Sequence, residues 1–398
     1  MNHSTSAGWT LVLPESGFAF DVGSLYDRLE QLADQRKARG KRYPLAVLLL
    51  LIILAKLAGE DQPHGIAEWA RERQDELIEL LPLTRESLPC ANTYRNAASR
   101  AVKPDELQKL VSAFLRSQPQ AGLGVLLCMD GKTMRGTLCP TNQSGVHLLV
   151  VYLPDECLVL VQVRVDVKTN EITVAPQVLK SLDLRGKVVM GDAMHTQRAI
   201  SVQIVNAGGD YVWLAKENQP RLRADLERLF QPEVCGPGSS PQPTDFASCR
   251  QSEKGHGRIE VRTLTASSLL QRYADWPALA QVFKLEREVR TLANQPLRSE
   301  VVYGLTSLTR AAADPARMLE LTRGYWGIEN GLHYRRDVTL HEDATRMKSE
   351  QAAQVWATLN NLLVGLLPRL PFHDLPQLRR HCAAHPEQAV GLLTRRTL

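Results

Sequence analysis

The sequence predicts a mixed α/β protein behind an all-helical N-terminal domain. Three observations predict it. Apolar residues recur at three-to-four spacing through the first third of the chain. Short β-rich runs alternate with helical segments between residues 124 and 215. A further set of β-like runs then separates that region from a last group of helices.

Composition sets the bounds. The chain has 398 residues, long enough for two or three domains with real cores. Hydrophobic content of 44% and charged content of 23% are ordinary for a soluble globular protein. A net charge of +5 is compatible with a nucleic-acid partner without demanding one. The seven cysteines include no CxxC pair, which argues against a disulfide framework or a cysteine-based zinc site and fits a reducing cytoplasm. The N-terminal MNHSTSAGWT lacks the basic start and apolar run of a secretory signal. The apolar run at 44–58, PLAVLLLLIILAKLA, is shorter than the ~20 residues a span needs. Lys56 also interrupts it, so a buried core helix is expected and no membrane partner.

Within residues 1–118 the pattern gives an irregular lead-in over 1–20 and helices at 25–39, 44–58, 66–81, 92–101 and 105–117. This domain is expected to bind DNA or to mediate assembly. Residues 119–216 carry strands at 124–130, 147–153, 157–167, 187–192 and 211–215, with helices at 173–182 and 197–207. Residues 217–308 read as a β-rich insertion, with a Pro-, Gly- and Ser-rich segment at 231–244 and strands at 259–265, 282–290 and 300–305. Residues 309–370 are helical, with a break at Gly324, and 371–398 read as a weakly patterned basic tail.

Two acids end short buried strands: Asp130, before GKTMRG, and Asp192, before AMHTQ. Open α/β sheets place their chemistry at such strand ends. A third acid, Glu329, lies in YWGIENGLHYRRDVTLHEDATR (325–346). Read as an α-helix, that stretch places Glu329, His333 and Asp337 at i, i+4 and i+8 on one face, with Arg336 beside them. Three carboxylates drawn from distant segments repel one another unless cations lie between them. A hard divalent ion such as Mg²⁺ suits such a donor set. Basic and aromatic residues flank the acids: Lys132 and Arg135, Lys216 with Asn218 and Gln219, Arg258 and Arg262, Trp326, Tyr334, Arg335, Arg336 and Arg346. They are candidates for phosphate contacts and base stacking. His195, near Asp192, is either a site residue or a packing histidine. No nucleophile elbow accompanies it, which leaves a metabolic hydrolase remote.

Five segments, MDGKTMRG, GDAMHTQ, WLAKENQP, GHGRIEVRT and 325–346, occur in this order, behind the N-terminal RGKRYPLAVLLLLIILAKLAG. Together they resemble bacterial insertion-sequence transposases of the DDE type, in the group that includes the H-repeat-associated proteins. The resemblance runs from about residue 20 to about residue 365. It implies an RNase H-like mixed sheet flanked by helices, with the β-rich insertion placed before the last catalytic acid. It implies that Asp130, Asp192 and Glu329 are the catalytic, metal-holding triad for Mg²⁺, with Mn²⁺ as a substitute. The implied activity is cleavage of double-stranded DNA at transposon ends and strand transfer into target DNA. The implied working form is a homodimer on DNA in the bacterial cytoplasm, associated with the nucleoid. Lys132, Arg135, His195, Lys216, Asn218, Arg258, Trp326, His333 and Arg336 are the candidate DNA contacts. The wider clan has Lys where Arg336 stands, and relatives more often have His and Trp in place of Tyr325 and Tyr334. A nuclease that cuts without joining and a domesticated DNA-binding protein without catalysis are the alternatives.

Overall fold

In the computed structural model, residues 24–393 are described, apart from 82, 84, 119–120, 122, 139–144, 167–168, 232–244, 256 and 346. The expected lead-in, nearly all of the Pro-, Gly- and Ser-rich segment, and Arg346 lie outside the described residues. Contacts divide the chain into a helical unit (Met1–Gly124, Gly131–Val167, Ile328–Leu398) and a sheet unit (Val125–Asp130, Lys168–Gly327).

The helical unit is built on two buried helices. Every residue of Leu45–Leu57 is buried, as its unbroken apolar run demands. Its one charge, Lys56, is fully buried and reaches Asp61 at 3.1 Å. Burial pushes the Lys56 pKa down, and Asp61 opposes that shift. Asp61 also accepts from Arg379 at 2.8 Å and lies 3.1 Å from His341. Helix Glu350–Leu366 is buried along 14 of its 17 residues, and the Ser349 side chain caps its first turn. Among the described residues, no helix is long and apolar enough to cross a membrane.

Three local expectations in this unit differ from the structure. The helix expected over 25–39 stops at Leu29, because the Asp34 carboxylate takes the Arg36 backbone N–H and guanidinium into a tight turn. The expected tail instead forms helices Leu375–Ala384 and Pro386–Leu393, the first capped by Asp374 onto the Gln377 N–H. The segment after Ile328 is not α-helical: Glu329–His333 and Arg335–Thr339 are π-helical turns.

Nine strands are numbered along the chain: β1 Leu126–Met134, β2 Val146–Leu153, β3 Leu158–Val165, β4 Val188–Gly191, β5 Asp210–Ala215, β6 Ala247–Gly255, β7 Arg258–Ser267, β8 Gln281–Thr291 and β9 Pro296–Thr306. Residues 126–130 of β1 belong to the sheet unit and 131–134 to the helical unit. In the helical unit the order is β3-β2-β1, with β2 and β3 an antiparallel hairpin. In the sheet unit it is β1-β4-β5-β9-β8-β7-β6. Here β1, β4 and β5 run parallel, and all later pairings are antiparallel. Both runs share β1, and the order they give is the RNase H-like mixed sheet that the resemblance implies.

The strands after β5 form no separate sheet; β9 pairs directly with β5, Val212 opposite Thr306. Strand β6 was not expected, since ASCRQSEKG shows no apolar alternation; it is a polar edge strand. Gly324 does not break its helix, which runs unbroken from Pro315 to Ile328. A Cβ there would lie 2.5 Å from the Leu126 side chain, so the glycine permits close packing on β1.

Candidate active site

In the sheet unit, Met129 of β1 is the register partner of Gly191 of β4. Asp130 and Asp192 each follow one of these partners. The two carboxylates therefore leave adjacent parallel strands at the same level, where neighbouring chains are about 4.8 Å apart.

Asp192 begins a tight turn, Ala193–His195, and its Oδ1 accepts the Ala193 N–H at 2.7 Å. Lys216, just past β5, brings its ammonium to 3.4 Å from the same oxygen, and both side chains are about half exposed (48% and 50%). The neighbours of Lys216 clamp the turn. Asn218 donates to the Ala193 carbonyl at 2.5 Å, and Gln219 donates to the Thr196 carbonyl at 2.8 Å. Thr196 in turn donates to the Leu214 carbonyl at 2.8 Å. The segments GDAMHTQ and WLAKENQP are thus two halves of one built turn. Asn218, expected at DNA, has its amide engaged in this turn. His195 is fully buried, with Nε2 3.0 Å from Glu171, which corrects its expected place at a DNA surface.

The arginines of the sheet unit are largely paired. Arg258 lies 2.7 Å from Glu260, and Arg262 lies 2.5 Å from the same carboxylate and 3.1 Å from Glu253. Burial alone would raise the Glu260 pKa, but hydrogen bonds from Arg287 and Arg258 hold it below the usual carboxylate range. Arg258 therefore faces an internal partner as well as solvent. Trp326 is 55% exposed, with the Arg287 guanidinium 5.8 Å from its ring centre.

In the helical unit, Glu329 is exposed at the start of the first π-turn. Tertiary partners, not the helical repeat, part the residues of the expected stripe: Glu329 faces solvent while the next two turn to partners in the protein. His333 is buried, which corrects its expected place at DNA, and Asp337 points to Lys132. Arg336 is fully buried, and its guanidinium meets both oxygens of the fully buried Glu342 at 2.7 and 2.8 Å. Gln162 and Asn361 lie 3.3 and 3.4 Å from Nη1. Burial would raise the Glu342 carboxyl, and the Arg336 guanidinium overrides that and lowers it. Arg336 is therefore part of the core, not a DNA contact. Lys132 is 8% exposed and held at 2.6 Å from both Asp337 oxygens, so its charge is likewise engaged inside the protein. Arg135 keeps an exposed side chain, while its backbone N–H donates to Asp343 at 2.7 Å.

Glu171 was missed by sequence reasoning. It opens helix Glu171–Lys180 behind the Asn170 cap, and no local pattern marks it as the partner of a histidine 24 residues later. Among the described residues, no group of three or more His, Cys, Asp or Glu side chains is placed to hold a metal ion. Asp130 and Asp192 offer only carboxylate oxygens, the donor type that a hard divalent cation takes. Lys216 beside Asp192 shows that this position already attracts positive charge.

The RNase H-like mixed sheet thus sets Asp130 and Asp192 side by side, each just past the last register pair of two adjacent parallel strands. Residues 122–366 match the family model described as Transposase DDE domain, and residues 26–115 match the DDE_Tnp_1-associated model. The chain belongs to the DDE transposase family. It is 26% identical over 354 residues to Putative protein YbfL of Escherichia coli (strain K12), covering 87% of this chain and 91% of that one. It is 25% identical over 354 residues to the H repeat-associated putative transposase YhhI of the same strain, with the same coverage. Among solved structures, the piggyBac transposase synaptic complex with hairpin DNA matches at 10% identity with a TM-score of 0.45, covering 92% of this chain and 78% of that one.

Proposed function

We propose that this transposase cleaves double-stranded DNA at the ends of its element and joins them to target DNA, using a divalent metal ion, Mg²⁺ with Mn²⁺ as substitute. The observation that carries the reading is the level pairing of Asp130 and Asp192 on adjacent parallel strands. Asp130, Asp192 and Glu329 are the residues that would hold the ion, and Glu329 enters this set through the motif order. The chemistry such an ion supplies is charge stabilisation on the attacking and leaving oxygens of an in-line phosphoryl displacement. Asp192 is pre-oriented for this by the Ala193 N–H and by the clamp from Asn218 and Gln219.

Arg135 and Lys216, whose side chains reach solvent, supply phosphate contacts, and the exposed face of Trp326 supplies stacking. Residues 1–118 serve as a DNA-binding or assembly module, residues 119–216 and 309–370 as the catalytic core, and residues 217–308 as its insertion. The working form is a homodimer that pairs two DNA ends in the bacterial cytoplasm.

Asp192→Asn tests the reading on a plasmid carrying the element's ends. The variant should bind end DNA yet give neither Mg²⁺-dependent cleavage nor strand-transfer products. Wild-type cleavage by Asp192→Asn would overturn the assignment. Cleavage by the wild-type protein without joined product would leave a nuclease instead.

A further inference from the structure

Beside the proposed catalytic Asp192 lies a buried acid–imidazole pair that the motif order does not account for. His195 is fully buried and Glu171 nearly so, and Nε2 lies 3.0 Å from Oε2. A buried carboxylate is costly unless paired and hydrogen-bonded. Glu171 sits in the first turn of a ten-residue helix, where the helix dipole also favours an anion. Nδ1 of His195 has no hydrogen-bond partner among the described residues, so the ring fits the tautomer whose proton lies on Nε2, pointing at Glu171.

The imidazole is joined to Asp192 in two ways. Its backbone N–H donates to the Asp192 carbonyl at 2.8 Å, closing the turn that Asp192 begins. Its ring lies against Gly191: a Cβ at that position would be 3.0 Å from His195 Cδ2 and 3.1 Å from the Met129 carbonyl. A side chain at Gly191 would crowd both the imidazole and the Met129 carbonyl. The ring thus packs directly on the strand end that carries the acid, and Glu171 holds the ring through Nε2.

We propose that Glu171 and His195 are positioning residues that hold the Asp192 turn, and hence its carboxylate, in the reactive orientation. The proposal rests on the reading of Asp192 as a catalytic acid. His195 is fully buried and Glu171 is 8% exposed, with its carboxylate turned to the imidazole, so both act through the turn rather than on DNA. Small displacements of a reacting group are expensive in rate, and loss of a partner that orients a metal ligand costs roughly 10–100-fold.

Single-turnover cleavage of end DNA, run well below each variant's melting temperature, tests this. Glu171→Ala should lower the cleavage rate roughly 10–100-fold while end-DNA affinity stays within about twofold of wild type. Glu171→Gln, which keeps an acceptor at the same reach, should recover most of the rate. Glu171→Asp keeps the charge but shortens the reach, and should stay impaired. It carries the test if the alanine variant does not fold. His195→Phe should match Glu171→Ala, and the double variant should lose no more than either single one. Wild-type cleavage by Glu171→Ala, or an additive loss in the double variant, would overturn the proposal. Asp192→Asn, run alongside, separates the two readings: if it cleaves, Asp192 is not the acid. If it is inactive while Glu171→Ala and Glu171→Asp cleave normally, the positioning role alone fails.

Discussion

Lys132 Nζ lies 2.6 Å from both carboxylate oxygens of Asp337. The two residues are far apart in sequence, yet each stands close in the chain to an acid of the proposed triad: Lys132 two residues after Asp130, Asp337 eight after Glu329. The partners are unequally buried, 8% exposed for the lysine side chain and 35% for the aspartate. Removing the more exposed partner strands the more buried charge, so the two deletions should differ. Asp337→Ala should cost about 2–3 kcal/mol and Lys132→Met about 1 kcal/mol, because an orphaned buried charge costs more than a solvated one. Urea unfolding of both variants checks the order. Equal losses would mean the ammonium is more solvated than its burial indicates.

Arg336 and Glu342 form another deep ion pair of this unit, and here both members are fully buried. Arg336→Ala should destabilise by about 3–5 kcal/mol, since it leaves Glu342 uncompensated. Arg336→Lys should also destabilise, because one ammonium cannot meet both oxygens as a guanidinium does. Glu342 has its pKa lowered in the folded state, burial opposing and Arg336 prevailing. Its stabilisation is therefore fully present above the unfolded value of about 4.5 and is lost as pH falls through the lower folded value. The melting-temperature difference between wild type and Glu342→Gln should be constant from pH 7 to about 5 and shrink on further acidification. A difference that grows with acid would reverse the assignment.

These two pairs show where the sequence was legible and where it was not. Asp130 and Asp192 stand out in the sequence because each closes a short apolar run, although β1 itself continues past Asp130 to Met134. The buried helix Leu45–Leu57 was legible for the same reason. The stripe of Glu329, His333 and Asp337 does not form one exposed face, because His333 is buried and Asp337 is drawn to Lys132 while Glu329 stays exposed. Nothing local signals this; tertiary partners such as Glu342, Gln162 and Lys132 settle which side chains turn inward. Strand β6 escaped notice because a polar edge strand has no apolar period. The partners of Asn218 and His195, the Ala193 carbonyl and the Glu171 carboxylate, could not be read because they come from segments that meet only in the fold.

Asp61 gathers three basic groups: Lys56, Arg379 and His341. Asp61→Ala should cost about 3–5 kcal/mol, since it leaves the buried Lys56 and Arg379 without their counter-charge. Lys56→Met should be close to neutral, because burial already disfavours the ammonium, Arg379 still neutralises Asp61, and methionine fills similar volume in an apolar helix. Chemical denaturation of the two variants tests the asymmetry. A severe loss from Lys56→Met would show that its ammonium is needed where it lies.

The reassignment of the basic residues can be tested by salt. Each phosphate that a protein cation neutralises adds about 0.9 to the slope of log affinity against log salt on duplex DNA. Arg135 and Lys216 keep side chains open to solvent, whereas Arg336 and Lys132 are buried against carboxylates. Arg135→Ala and Lys216→Ala should therefore each lower the slope for end DNA by about 0.9. Lys132→Met should bind with a wild-type slope at a temperature where it is folded. For Lys216 a second effect follows, since its ammonium lies 3.4 Å from Asp192 Oδ1. Removing it takes away a competing cation, so Lys216→Ala should require less Mg²⁺ for half-maximal cleavage even as DNA binding weakens. Titrating Mg²⁺ at saturating DNA checks this, and an unchanged or higher Mg²⁺ requirement would show that the ammonium and the metal do not share the carboxylate.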